Sequence, residues 1–216
     1  MSLGPIEKLD EAIKVLNEGG LVLHPTGGLW GLAADPLNEL ALDRLRLAKW
    51  LPPGPRPFVV LSEPEWIHRV ADVDRIASRN LARLLPVIET YWPGGLTLVL
   101  PAGEWSPPSV CVEGSSGPTV AVRCDDHPLA RDLCKAFGRP IISTSANRTG
   151  QPGPAFLEQV DPTIRANAWT WGGPPAPSGK ASTLLDLSRG RPIILREGRV
   201  SGDEILAMMD DLPARE

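Results

Sequence analysis

Leu21-Val22-Leu23-His24-Pro25-Thr26-Gly27-Gly28-Leu29-Trp30-Gly31-Leu32 is the stretch on which the fold turns. Leu21 to His24 reads as a short buried strand, and glycines follow at its carboxyl end. Glycine there lets a ligand approach the backbone, and open sheets bind ligands at such strand ends. Taken alone, the segment reads equally well as a plain turn. Upstream, Ile6, Leu9, Ile13 and Leu16 recur at helical spacing, and Gly19-Gly20 closes that helix. Downstream, Ala41 to Trp50 reads as a helix with Leu42, Leu45 and Ala48 on one face, followed by a proline-rich loop and the strand Phe58-Val59-Val60-Leu61. Helical spacing also runs from Arg75 to Tyr91, where Pro86 is expected to kink or break it.

From Leu96 onward strands dominate. Leu96–Leu100, Thr119–Arg123 and Pro140–Ser143 are β-branched or apolar runs, with a short helix predicted over Pro128–Phe137. Thr183–Leu187 and Pro192–Arg196 form an expected antiparallel pair around Ser188-Arg189-Gly190-Arg191, and a helix from Asp203 to Asp210 follows. Alternating helices and strands early, then adjoining strands late, predict an α/β fold. The expected sheet is open, twisted and mixed parallel/antiparallel, within a single domain over residues 1–216.

Composition narrows the class. The 216 residues are 42% hydrophobic and 22% charged, an ordinary globular balance. No apolar run approaches the ~18 residues of a membrane span, and the N-terminal residues lack a secretory pattern, so a cytoplasmic protein is expected. Cys111, Cys124 and Cys134 are widely spaced, without C-x-x-C, and His24, His68 and His127 form no ligand pair; no metal site is expected. A net charge of −4 argues against a protein built mainly to grip duplex nucleic acid.

Two motifs fail on inspection. Gly179-Lys180 would need glycine at 174 and Ser or Thr at 181 for a phosphate loop, but Pro174 and Ala181 stand there. Gly114-Ser115-Ser116-Gly117 lacks the spacing of a nucleophile elbow and reads as a loop. Four segments carry polar chemistry beyond structural need. The first is the glycine stretch around Thr26. The second is Lys49 with Arg56, two cations beside a stiff loop that suit phosphate oxygens, although Lys49 also suits a helix C-terminus. The third is Ser143-Thr144-Ser145-Ala146-Asn147, either neutral donors and acceptors for a ligand or a helix N-cap cluster. The fourth is Arg123 and Arg196, each ending an apolar strand and each needing an anion, whether a ligand or a protein carboxylate.

In order along the chain, these segments resemble the YrdC/Sua5 family of threonylcarbamoyl-AMP synthases, in the short form that has the YrdC-like domain only. Pro25-Thr26 with Gly31-Leu32-Ala33-Ala34-Asp35 is similar to P-T-x-T-x-Y-G-L-x-x-D, and Tyr91 to Leu100 to F-W-P-G-P-L-T-L-V-L. Val120-Ala121-Val122-Arg123 with His127-Pro128-Leu129, Thr144 to Gly150, Ser182 to Leu187, and Ile194 to Gly198 resemble the remaining motifs. The resemblance implies a YrdC-like sheet with a concave ligand cleft. It also implies synthesis of threonylcarbamoyl-AMP and pyrophosphate from L-threonine, bicarbonate and ATP with Mg2+, with no prosthetic group. The product would feed the tRNA threonylcarbamoyl-transfer machinery, and the family's concave face adds RNA contact as an expectation.

By position, Lys49, Ser145 and Asn147 would act in catalysis. Lys49, Arg56, Thr119, Ser145, Asn147 and Arg196 would face ATP, and Thr26, Arg123, Ser143 and Ser182 would face threonine. Such a site works by positioning and charge stabilisation, without a covalent nucleophile. Three departures stand out: Gly28 replaces the second threonine of P-T-x-T, Trp30 replaces its tyrosine, and Leu51 replaces the arginine of K-x-R, with Arg56 as the nearest substitute. Leu51 keeps open a paralogue acting on another acid, or a non-catalytic module that binds double-stranded RNA.

Overall fold

The computed structural model describes residues 5–51 and 58–211. The predicted first helix is α1 (Pro5–Asn17), and the glycine stretch folds into a hairpin of β1 (Val22–Pro25) and β2 (Trp30–Ala34). Thus Trp30-Gly31-Leu32, read above as part of a turn, is strand. Helix α2 (Glu39–Lys49) starts where the Asn38 side chain accepts from Ala41 N–H, and stops at Trp50, whose φ of 55° is left-handed. There follow β3 (Val59–Leu61), the short helix α3 (Ile67–Val70) and helix α4 (Ser78–Tyr91). Pro86 does not end α4: Leu84, Val87 and Ile88 are buried on either side of it, and their packing holds the helical path.

The chain continues through β4 (Leu96–Pro101), β5 (Cys111–Gly114), β6 (Gly117–Arg123), α5 (Pro128–Phe137) and β7 (Ile141–Ser145). The last part comprises α6 (Pro162–Ala166), β8 (Trp169–Thr170), β9 (Thr183–Asp186), β10 (Ile193–Arg196) and α7 (Gly202–Asp211). Among the described residues, these strands form one sheet in the order β10-β9-β4-β6-β3-β7-β2-β1-β8, with β5 on β6. The pairs β3–β6, β4–β9 and β1–β8 are parallel and the others antiparallel, which is the expected mixed sheet.

Strand alternation divides the core in two. Leu23, Val60 and Ile142 face a layer built with Leu42 and Leu45 of α2, Val87 of α4 and Ile205 of α7. Their neighbours Val22, Leu61 and Ile141 face the other way, against Leu16 of α1 and Leu133 and Phe137 of α5. On this second face Leu61 pairs with Arg123, Ala33 with Ser143, Gly31 with Ser145, and Arg196 with Leu184. The register therefore brings polar residues of three strands, β6, β7 and β10, onto the face that α1 and α5 cover with apolar packing around Val22, Ala33, Leu61 and Ile141.

Candidate functional site

A cleft of about 170 Å³ opens on that second face. Thr26, Arg123, Ser143, Ser145, Ser182 and Arg196 line it, together with the Gly28–Gly31 backbone. Six of the expected site residues thus converge from positions up to 170 residues apart in the chain, as Thr26 and Arg196 show. Ser143 and Ser145 belong to β7 itself, which runs to Ser145, so the alternative of a helix N-cap cluster is set aside.

The two guanidiniums differ. Arg123 is 6% exposed, and its Nη2 lies 2.6 Å from Asp125 Oδ2. It has the protein carboxylate that sequence reasoning left as one option, yet its buried Nε has no partner. Arg196 takes part in no ion pair among the described residues. It donates from Nε and Nη2 to the Ser182 carbonyl at 3.1 and 2.9 Å, and from Nη2 to Ser182 Oγ at 3.2 Å. Partial burial, and then the charge of Arg123, push its pKa below the ordinary arginine value. An anion placed between the two would relieve both effects.

The serines are held from behind. Ser182 Oγ lies 2.7 Å from Thr97 Oγ1, and Ser143 Oγ lies 3.1 Å from His24 Nε2. Thr97 and His24 are fully buried, and sequence reasoning missed both roles. The signal was a polar residue inside an apolar strand, at His24 after Leu21-Val22-Leu23 and at Thr97 between Leu96 and Leu98. Thr26 closes its own turn: its hydroxyl donates to Leu29 O at 2.7 Å and accepts from Gly28 N at 3.2 Å and Leu29 N at 3.1 Å.

Lys49 and Asn147 are not among the residues that line this cleft. Lys49 is 5% exposed, and its ammonium donates to the carbonyls of Ser145 and Asn147, the latter at 2.8 Å. Burial lowers its pKa from 10.5 to about 8. It braces the loop after β7 from beneath, because α2 ends under that loop. The Asn147 amide donates to Arg148 O and Gln151 O, at 3.0 and 2.6 Å, on a neighbouring cavity bounded by Trp50, Arg148 and Gly153. Thr119 stands on the same face of β6 as Arg123 but four residues away, roughly 13 Å along a strand. It lies outside the cleft lining, and its hydroxyl donates to Val112 O at 3.0 Å. Arg56 lies outside the described residues. Leu51 packs against the main core layer, so the position of the missing arginine turns inward.

A rim that sequence reasoning did not foresee borders the cleft beside Gly28 and Ala181. Gly27 O accepts from Ser178 N at 3.1 Å and Gly28 O from Gly179 N at 2.9 Å. Beside them Arg199 meets Asp126 through two bonds, of 2.8 and 2.6 Å. The glycines make this possible: a Cβ on Gly27 would lie 1.8 Å from Asp126 Oδ1, and one on Gly28 2.4 Å from Lys180 O. The Trp92–Gly95 turn packs under the same rim, with a Gly95 Cβ position only 2.6 Å from Arg199 Cβ.

Comparison with known proteins agrees with this architecture. The family profile Sua5/YciO/YrdC, described as "Telomere recombination", matches residues 14–198. The chain is 36% identical to the threonylcarbamoyl-AMP synthase of Vibrio vulnificus over 155 residues, covering 72% of this chain and 80% of that one. It is 35% identical to the synthase of same name from Stenotrophomonas maltophilia over 156 residues, with the same coverage of each chain. Among solved structures it is similar to P. abyssi Sua5 complexed with L-threonine, at a TM-score of 0.81 and 29% identity. That match covers 96% of this chain and 58% of that one, so this chain spans under two thirds of that longer relative. E. coli YciO shares the fold, at a TM-score of 0.75 and 22% identity, over 89% of this chain and 90% of that one. The motif order, the mixed sheet and a profile match running from the first helix to the loop beyond the last strand agree, and the chain belongs to the Sua5/YciO/YrdC family.

Proposed function

We propose that this chain is an L-threonylcarbamoyladenylate synthase, a nucleotidyltransferase that makes threonylcarbamoyl-AMP. The observation that carries the reading is a cleft with two guanidiniums, one without a carboxylate partner among the described residues, ringed by serine hydroxyls. Its similarity to synthases at 35–36% identity supports the same reading. The L-threonine amine condenses with bicarbonate to a carbamate, with loss of water. A carbamate oxygen then attacks the ATP α-phosphorus, and pyrophosphate leaves.

In this reading Arg123, which lines the cleft, takes the threonine carboxylate, while Thr26, Ser143 and Ser182 hold the amino acid. Arg196 takes the nucleotide phosphates, and Ser145, from another strand of the same cleft, faces the nucleotide as well. Thr119 lies at a distance from Arg123 that suits the length of a nucleoside triphosphate rather than of an amino acid. Lys49 and Asn147 act by fixing the loop after β7. The chain's part in catalysis is orientation and charge stabilisation. Mg2+ would arrive with ATP, held by phosphates and water.

Incubation with ATP, bicarbonate and L-threonine tests the proposal, with pyrophosphate and the adenylate measured. Pyrophosphate released only with L-threonine supports it. The inward-packed Leu51 favours one alternative, a relative that activates a different acid. Pyrophosphate released with another amino or hydroxy acid, and not with L-threonine, would establish that alternative.

A further inference from the structure

His24, Thr26 and Ser143 converge over one glycine. A Cβ on Gly31 would meet Ser143 Oγ at 2.8 Å, His24 Nε2 at 3.1 Å and Thr26 Cγ2 at 3.1 Å. The residue at 31 must be small for this contact to exist. His24 is 0% exposed, with Nδ1 3.1 Å from Pro25 O and Nε2 3.1 Å from Ser143 Oγ. A carbonyl oxygen only accepts, so Nδ1 carries the ring proton and Nε2 is bare. The Ser143 hydroxyl must then donate to His24. The hydroxyl oxygen is then left to accept, and Ser143 is part of the cleft lining.

We infer that His24 is a positioning residue that holds Ser143 as a hydrogen-bond acceptor, selecting a ligand that presents a donor there, the ammonium or hydroxyl of L-threonine. The inference rests on the proposed function. The ring stays neutral over the working range: burial lowers its pKa from 6.5 to about 4, against the opposing charge of Asp125 and with the help of His127 and Arg123. An uncharged ring keeps Nε2 an acceptor. Without it the hydroxyl could rotate and donate, and the wall would accept a ligand carbonyl or carboxylate equally well.

The test begins with the unaltered protein. Nitrogen NMR of the histidine rings should find His24 with Nδ1 protonated and Nε2 bare; a protonated Nε2 overturns the inference without any variant. Calorimetric titration of L-threonine follows. His24→Leu should weaken threonine binding about tenfold and leave ATP binding unchanged. His24→Gln, whose Oε1 can stand near the Nε2 position, should recover most of that loss. In a Ser143→Ala background His24→Leu should have no further effect on threonine, because the residue acts only through Ser143. Equal threonine affinity in His24→Leu and the unaltered protein, or additive losses with Ser143→Ala, overturns the inference while leaving the synthase reading intact. Failure of the unaltered protein to bind L-threonine at all removes the synthase reading, and the inference with it.

Discussion

Replacing Lys49 by methionine should change how stability depends on pH, and the size of the change follows from the lysine's burial. The residue is 5% exposed and burial lowers its pKa from 10.5 to about 8. Below about pH 8 the folded protein carries a desolvated charge that the unfolded chain holds in water. Between about 8 and 10.5 the folded protein has released that proton while the unfolded chain keeps it. Stability rises with pH wherever the unfolded state binds more protons, so the penalty is present below about 8 and is gone by 10.5. At about 1.4 kcal/mol per pH unit, the gap corresponds to about 3 kcal/mol, an upper figure because the Ser145 and Asn147 carbonyls favour the charged form. Lys49→Met removes the titration while filling similar space. Urea unfolding of both proteins at pH 7 and pH 10.5 should show the unaltered protein gaining up to about 3 kcal/mol relative to the variant. A difference that stays constant across this range would mean the ammonium is hydrated, and the argument that it braces the loop from a dry site would fall.

Arg196→Ala should weaken ATP binding by about 1.5–3 kcal/mol with little change in melting temperature, since it lies at a strand end and bonds only Ser182 among the described residues; a large drop in melting temperature with intact ATP affinity refutes the phosphate role. Acid should destabilise the fold as pH falls from 6.5 to about 4, because the unfolded chain protonates His24 while the folded one does not; His24→Leu should flatten that limb in acid-titrated denaturation curves. Leu51→Arg should cost about 1–3 kcal/mol in urea unfolding and bring no gain in adenylate formation, because position 51 packs against the core; a gain in activity would mean the residue can swing to the cleft. Gly28→Ala should impair threonine binding more than Gly27→Ala, since its Cβ meets the Lys180 backbone carbonyl while that of Gly27 meets movable side-chain ends; equal effects in titration calorimetry would contradict this.

Much of the fold was legible because the buried strands are continuous apolar runs bounded by turns. Val120-Ala121-Val122 and Ile141-Ile142 are covered on both faces, and each appears as strand where periodicity placed it. The hairpin strand Trp30–Ala34 was not legible. Its one glycine, Gly31, and the Gly27-Gly28 pair just before it look like a turn, and its identity as strand comes from pairing with β1 and β7. β5 and β8 are short and owe their form to a neighbour already in place. At the cleft, the strand-end positions Arg123, Ser182 and Arg196 were legible as polar residues bounding apolar runs, and Ser143, inside β7, as a hydroxyl after Ile141-Ile142. Lys49 and Asn147 were harder, because their motif positions do not say whether a side chain reaches the cleft or the loop beneath it. Asp126 and Arg199 escaped detection because neither charge is unusual along the chain; only the fold brings them together over Gly27.

The rim beside the cleft bears on the order in which the molecule can assemble. Its members come from the first hairpin, the turn after β6, the 178–180 segment and Arg199, so closing it joins positions more than 170 residues apart. Such distant pairings carry a large loop-closure cost and form late, after local contacts have reduced the search. A chain interrupted before Arg199 retains the apolar runs of β3, β6 and β7, and can collapse around them without a finished rim. The rim is therefore finished only when both ends of the chain are in place.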